Sequence, residues 1–112
     1  MQQLQPEELA AWLAESGMTD AVRPQPVLVD VREPWEYQLC RIEESLHIPM
    51  NTIPARFSEL DSETPIVLIC HHGTRSFQVG MFLEQQGFKH LYNLQGGVNA
   101  WARSVEPGMA LY

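Results

Sequence analysis

Short apolar runs alternate along this chain with stretches of helical periodicity. Residues 27–31 and 66–69 form two continuous runs, rich in β-branched side chains, which are typical of strands buried on both faces of a sheet. A third strand is predicted at 90–94, and a short extended piece followed by a turn at 47–54. Strands that alternate with helices predict an α/β fold around a parallel sheet.

The helical segments are recognised by their periodicity and their end signals. The first is predicted over residues 5–17, where a proline suits the first helical position and a glycine suits the end. A longer helix is predicted over 75–86, where Phe77, Met81 and Phe82 fall on one face. Shorter helical segments are predicted at 33–40, 54–60 and 96–104.

Length and charge restrict the classes of protein to consider. The 112 residues suffice for one domain, which we expect to span 1–112. The net charge of −7 argues against nucleic acid or an anionic membrane as the main partner. No apolar run is long enough for a membrane span, and the N-terminus lacks the pattern of a signal peptide. We therefore expect a cytosolic protein whose two cysteines, Cys40 and Cys70, are not bridged.

A cysteine stands where the second buried strand gives way to the long helix. Cys70 is followed by His71, His72, Gly73 and Thr74, and the helix begins near Arg75. A tight turn of this kind can direct several backbone N–H groups inward, and the positive end of the helix dipole favours a thiolate, which is the nucleophilic form. A cysteine ending a buried strand is usually only a small apolar residue. The glycine, the arginine and the helix start that follow favour a catalytic role for Cys70.

Four segments together resemble the rhodanese family. "CHHGTRS", residues 70–76, is similar to the active-site loop of that family, Cys-x-x-Gly-x-Arg-Ser. "VLVDVREPWEY" resembles its first-strand motif, "HIPMNTIP" the segment around its Ile-Pro, and "NLQGGVNAW" its C-terminal signature. The order and spacing of these motifs over nearly the whole chain make the resemblance specific.

The resemblance implies both a fold and a reaction. The family fold has three layers, with a central parallel sheet of about five strands flanked by helices. The implied reaction is sulfurtransfer: Cys70 would take the outer sulfur of a donor such as thiosulfate, form a persulfide, and pass the sulfur to cyanide or a thiol. A thioredoxin-like protein is one source of the acceptor thiol that the resemblance implies. Backbone amides from His71 to Ser76 would surround the persulfide, while the Arg75 side chain would brace the loop. No cofactor or metal is implied.

The sequence departs from the family pattern before His47. The family commonly has Gly-His-Ile-x-Gly-Ala at this place, whereas this chain has "CRIEES". Cys40 and Arg41 therefore stand at the first two positions, and Glu44 stands at the second glycine.

Two further groups near the predicted strand ends are candidate site residues. Asp30 ends the first buried strand, and we interpret it as a supporting residue that holds the neighbouring backbone or Arg32; a general base is the alternative. We expect at least one of His71 and His72 to face the substrate, where an imidazolium would attract an anionic donor. Three adjacent residues are a poor metal site, so we do not interpret the Cys-His-His run as one.

The remaining cysteine and the tryptophans receive no catalytic role. Cys40 is interpreted as a bystander, with a second catalytic thiol as the alternative. Trp35 and Trp101 are interpreted as packing residues rather than substrate walls, and Trp12 fits the buried face of the first helix.

Two other functions remain open. Cysteine-dependent phosphatases also combine a cysteine with an amide-lined loop and an arginine, but their family pattern is Cys-x5-Arg, and Cys70 and Arg75 enclose four residues. The shorter loop suits one sulfur atom better than a tetrahedral phosphate. A non-catalytic module that binds proteins is the other alternative, although such domains often lack the cysteine.

Overall fold

The computed structural model describes residues 1–18 and 20–112. Five strands alternate with five α-helices, and two single-turn 3₁₀ helices, Met50–Thr52 and Phe57–Glu59, flank the third helix. In chain order the elements are β1 (Gln2–Leu4), α1 (Pro6–Ser16), β2 (Val27–Asp30), α2 (Pro34–Leu39), β3 (Leu46–His47), α3 (Ile53–Arg56), β4 (Ile66–Ile69), α4 (Thr74–Gln85), β5 (Leu91–Leu94) and α5 (Gly97–Ser104).

All five strands are parallel, in the order β1-β5-β4-β2-β3. The central strand β4 pairs with β2 on one side and β5 on the other. Because β4 is covered on both faces, its four residues are all buried, which explains its unbroken apolar sequence. The α/β fold and the five-stranded parallel sheet are therefore as predicted.

The sheet separates two apolar clusters, so the molecule has three layers. Residues of α3 and α4 pack on one face, against the side chains of Val29 and Leu68. Residues of α1 and α5 pack on the other face, against Leu28 and Val67. Trp12 and Trp101 are both buried in this second cluster. No helix among residues 1–18 and 20–112 is long and apolar enough to cross a membrane.

Three large apolar side chains that the sequence singles out are exposed. The buried residues of α4 are Ser76, Val79, Gly80 and Leu83, whereas Phe77 and Met81 are exposed. Phe82, on the same face as Phe77 and Met81, is partly buried against the cluster that contains Val79 and Leu83. Trp35 is 60% exposed and packs edge-on against the ring of Tyr112, at a centroid distance of 5.5 Å.

The edge strands β1 and β3 carried weak signals in the sequence. β1 is Gln-Gln-Leu, and only Leu4 among its residues is buried. β3 has two residues and was expected only as an extended piece near His47. Each edge strand pairs with a single neighbour, so its position depends on that neighbour rather than on a local apolar pattern.

Candidate active site

Cys70 directly follows β4, at the carboxyl end of the central strand. It is 1% exposed, and its sulfur accepts a hydrogen bond from the backbone N–H of Gly73 at 3.0 Å. The Ser76 hydroxyl lies 3.3 Å from the same sulfur. Gly73 has φ = +103°, a left-handed conformation that favours glycine, and it directly precedes α4. The loop therefore turns back over the thiol and brings the N-terminus of α4 to the sulfur.

The loop offers several backbone donors around the thiol. The amides of His71, His72, Thr74, Arg75 and Ser76 donate no hydrogen bond to another group in the described part of the chain. The last three belong to the first turn of α4, whose N–H groups have no partner within a helix and carry its positive partial charge. This arrangement suits a negatively charged sulfur or a small anion.

Helix α5 holds the other side of the loop. The amide of Val98 donates to the Cys70 carbonyl at 2.9 Å, and the amide of Asn99 donates to the His71 carbonyl at 3.1 Å. The C=O and N–H of a trans peptide point in opposite directions. Fixing these two carbonyls towards α5 therefore turns the amides of His71 and His72 away from that helix.

The side chain of Asn93, in β5, joins two parts of the loop. Its Oδ1 accepts a hydrogen bond from the Ser76 hydroxyl, and its Nδ2 donates to the Gly73 carbonyl at 3.1 Å. Nδ2 also donates to Oε1 of Gln3 at 3.1 Å, so both of its partners are acceptors and the orientation of the amide is settled. The sequence analysis did not identify Asn93; an uncharged polar residue within a buried strand was the available signal.

Arg75 forms a two-pronged ion pair with Glu36 of α2. Both nitrogen–oxygen distances are 2.8 Å, and the Glu36 side chain is 4% exposed. The hydrogen bonds from Arg75, aided by the Glu33 amide, lower the pKa of the Glu36 carboxyl to about 2, against the opposing effect of burial. The guanidinium thus braces the loop against α2. Glu36 was also absent from the sequence-based candidates.

A second ion pair lies beneath the loop, between Asp30 and Arg32. Both side chains are fully buried, and Nη2 of Arg32 lies 2.7 Å from Oδ2 of Asp30. Oδ1 of Asp30 also accepts a hydrogen bond from the backbone amide of Arg32, with a nitrogen–oxygen distance of 3.0 Å. Although burial opposes it, hydrogen bonding to Asp30 raises the pKa of Arg32 above its usual value. The structure thus places Asp30 in contact with Arg32 and the adjoining backbone.

Arg32 also connects to Cys40. Its Nη2 donates to the Cys40 carbonyl at 2.6 Å, and its Nη1 lies 3.7 Å from the Cys40 sulfur. Cys40 is half-buried, and both cysteines are free thiols. Glu44, which occupies the position of a family glycine, has φ = +66°. That conformation favours glycine and strains other residues, so the backbone here keeps a glycine-type shape despite the substitution.

The two histidines of the loop have different surroundings. His71 is half-buried and stacks with His72 and with Tyr112, at centroid distances of 4.0 and 3.9 Å. Burial lowers the pKa of His71 below its ordinary value, and the neighbouring His72 adds to the effect. His72 and Thr74 are exposed, and they border an open groove of about 630 Å³ along α4.

The match to a protein-family model agrees with this geometry. The model for the rhodanese-like domain matches residues 5–104. The chain belongs to the rhodanese-like domain family. Within that family, the chain is 42% identical over 84 residues to a protein of Allochromatium vinosum named sulfurtransferase, a match that covers 75% of this chain and 78% of the relative.

Solved structures show the same rhodanese-like fold. A rhodanese-like domain protein from Staphylococcus aureus superposes with a TM-score of 0.79 at 31% identity, over 90% of this chain and 91% of the other. A NAD-dependent persulfide reductase from A. fulgidus matches 68% of this chain and 14% of its own, with a TM-score of 0.60 and 33% identity.

Proposed function

We propose that this protein is a sulfurtransferase that carries a sulfane sulfur as a persulfide on Cys70. The observation that carries the proposal is the position of the buried Cys70 sulfur. It accepts a hydrogen bond from the Gly73 amide, and the other amides of the loop are free to bind an anion. The name of the 42% identical relative from Allochromatium vinosum supports the same reaction class. Thiosulfate is the donor that we propose, because it is a small dianion with a transferable outer sulfur.

In the first step the Cys70 thiolate attacks the outer sulfur of thiosulfate. A sulfur–sulfur bond forms to Cys70, the original sulfur–sulfur bond breaks, and sulfite leaves with the electron pair. The outer sulfur then bears the negative charge of a persulfide. The free amides of the first turn of α4 are the donors available to stabilise that charge.

In the second step an acceptor nucleophile removes the outer sulfur. Cyanide gives thiocyanate, and a thiolate gives a persulfide on the acceptor; in both cases the bond to Cys70 breaks and the Cys70 thiolate is regenerated. We propose a thiol, on a small molecule or on a thioredoxin-like protein, as the biological acceptor. This chemistry requires Cys70 to remain a thiol between cycles, which suits the reducing cytosol.

The position of Arg75 argues against the phosphatase alternative. Both terminal nitrogens of Arg75 are held by Glu36, so its guanidinium is not free to bind a phosphate oxygen. The four-residue spacing between Cys70 and Arg75 also makes a smaller loop than Cys-x5-Arg. A module that only binds proteins would not require the hydrogen bond that the Gly73 amide donates to the Cys70 sulfur.

Mass spectrometry tests the proposal directly. Incubation of the protein with thiosulfate should add the mass of one sulfur atom, located at Cys70 by peptide mapping and removed by cyanide with release of thiocyanate. Cys70→Ala should abolish both the mass gain and turnover, whereas Cys40→Ser, the matched control, should keep them. Turnover that survives in Cys70→Ala would refute the assignment.

The donor is tested separately by measuring turnover with thiosulfate, 3-mercaptopyruvate and a protein persulfide in parallel. We expect thiosulfate to support turnover and to compete with the other donors for Cys70. Labelling of Cys70 by the other donors alone would retain the sulfurtransferase and reject thiosulfate as its substrate.

A further inference from the structure

The segment after α5 returns to the Cys70 loop. Val105 and Met109 are partly buried against the apolar cluster beneath α1 and α5, and Tyr112 packs beside the loop. The family model matches residues 5–104, so this contact comes from outside the matched part of the chain. The loop therefore has a neighbour that the family motifs do not supply.

The ring of Tyr112 covers His71. The two rings are nearly parallel, with an interplanar angle of 15° and a centroid distance of 3.9 Å. Trp35 packs edge-on against Tyr112 at 5.5 Å, which accounts for a tryptophan that is otherwise exposed. The Nε2 atom of His71 is buried and has no hydrogen-bond partner among the described residues. Stacking rather than hydrogen bonding therefore holds the imidazole.

The hydroxyl of Tyr112 joins the two ion pairs of the site. It accepts a hydrogen bond from Nη1 of Arg32 at 2.9 Å and donates to Oε1 of Glu36 at 2.8 Å. That Glu36 oxygen also binds Arg75. Burial raises the pKa of Tyr112 to about 12, so the phenol keeps its proton, and hence its bond to Glu36, throughout the neutral range.

We propose that Tyr112 is a positioning residue for the Cys70 loop, whose ring fixes His71 and whose hydroxyl fixes the carboxylate that binds Arg75. The loop is then held at its second residue and at its sixth, on either side of Gly73. Tyr112 does not touch the Cys70 sulfur, so it acts on the reaction through His71 and Glu36. Only the expected effect on turnover rests on the proposed sulfurtransferase function.

Removal of the ring should change the protonation of His71. The charged and titratable groups that face this imidazole are His72, Glu36, Arg75, Arg32 and the Tyr112 phenol. Glu36 alone favours the imidazolium, and burial opposes it. Tyr112→Leu admits water to one face of the ring, and the titration midpoint of His71 should then move up towards the ordinary value of about 6.5.

The first experiment follows the His71 imidazole by NMR, with assignment through His71→Gln. We expect Tyr112→Leu to raise the midpoint and Tyr112→Phe, which keeps the ring, to leave it at the wild-type value. Tyr92→Leu is the matched control, because Tyr92 is also half-buried but packs edge-on against Trp12. A midpoint that Tyr112→Leu does not move, or that Tyr92→Leu moves equally, would overturn the proposal.

The second experiment measures the loop through its thiol, in a Cys40→Ser background. Iodoacetamide is neutral, and its rate of reaction with Cys70 reports access to the buried sulfur without requiring sulfur transfer. We expect Tyr112→Leu to raise this rate about fivefold or more, and to lower kcat with thiosulfate, because the loop is no longer held on the α2 side. Tyr112→Phe should lower kcat by about five- to tenfold through loss of the hydrogen bonds to the charged groups.

The two experiments separate this proposal from the proposed function. Wild-type protein that transfers no sulfur, but in which Tyr112→Leu still moves the His71 midpoint and accelerates alkylation, would refute the function and support the positioning role. A normal alkylation rate in Tyr112→Leu, together with normal turnover in Tyr112→Phe, would refute the positioning role and leave the function standing.

Discussion

The charged side chains around the Cys70 loop form two neutral pairs. Arg75 is bound to Glu36, and Arg32 to Asp30, so neither guanidinium presents an uncompensated charge to the sulfur. Attraction for an anionic donor must then come from the loop amides and the N-terminus of α4. The two arginines therefore hold the surroundings of the loop in place, and their guanidinium groups are already paired with carboxylates.

The ionisation of Glu36 should make the free energy of unfolding depend on pH in the acid range. Its folded pKa of about 2 lies below its ordinary value of about 4.5, so the unfolded chain binds the proton more tightly. The stabilisation by the pair with Arg75 is present above pH 4.5 and is lost as the pH falls from about 4.5 to about 2. Glu36→Gln should lower the free energy of unfolding by about 1–3 kcal/mol at pH 6.5, and by much less near pH 2.5.

Urea denaturation at the two pH values measures this difference. Glu63→Gln is the matched control, because Glu63 is exposed and its carboxylate makes no ion pair in the part of the chain that the structure describes. Equal losses at both pH values for Glu36→Gln would contradict the assigned ion pair.

The first turn of helix α5 packs directly against the Cys70 loop. Gly97 has φ = +60°, and a Cβ there would lie 2.3 Å from the Cys70 carbonyl oxygen and 2.4 Å from that of His71. Real Cβ atoms do not approach a backbone oxygen so closely, so the helix or the loop must move if one is added. Helix α5 therefore needs glycine at position 97 for two reasons: the backbone is left-handed there, and a side chain would collide with the loop carbonyls.

Gly97→Ala should destabilise the protein and also impair the site. We expect a loss of about 3 kcal/mol or more, since strain in the left-handed region adds to the clash, and a fall in sulfur transfer of tenfold or more because the loop carbonyls shift. Thermal unfolding and steady-state turnover of the folded fraction measure the two effects.

Gly87→Ala isolates the conformational part of that effect. Gly87 ends α4 with φ = +94°, but a Cβ there would meet no atom within 4 Å. Its replacement should cost only about 1–2 kcal/mol and leave turnover unchanged. If both alanine variants lose stability and turnover equally, contact between α5 and the loop does not explain the requirement at Gly97.

The molecule as a whole carries a charge of −7, although its proposed donor is an anion. Screening over about 8 Å at physiological salt limits the repulsion from distant carboxylates. Local charge on the loop then decides donor affinity. At least one of His71 and His72 was expected to supply this charge, and burial lowers the pKa of the stacked, half-buried His71, which disfavours its imidazolium form. The exposed His72, which borders the groove at the rim of the loop, is therefore the histidine that we expect to meet the donor.

We expect the KM for thiosulfate to rise from pH 6 to pH 7.5, the ordinary range in which imidazole side chains lose their proton. His72→Gln should flatten this rise, and His71→Gln should retain it, because the pKa of His71 already lies below its ordinary value. Steady-state kinetics at several pH values and constant ionic strength test the difference. A profile flattened by His71→Gln, with His72→Gln unchanged, would reverse the assignment of the two histidines.

Local patterns in the sequence were sufficient for the central strands and for the Cys70 loop. β4 is buried along its whole length and is continuously apolar, and β2 is apolar up to Asp30, its last residue. Gly73 and Ser76 reach the Cys70 sulfur from within six residues, so the contacts that they make are encoded in one short segment. The family motifs place that segment on the same fold.

The tertiary structure alone decided which distant residues hold the loop. Glu36 meets Arg75 across 39 residues, Asn93 meets Ser76 across 17, and Tyr112 meets Glu36 across 76. Such pairs leave no periodic signal, because each partner satisfies a hydrogen bond rather than the apolar face of its own element. The covered face of α4 was likewise decided by packing against the sheet, because Ser76, Val79, Gly80 and Leu83 are buried whereas Phe77 and Met81 are exposed.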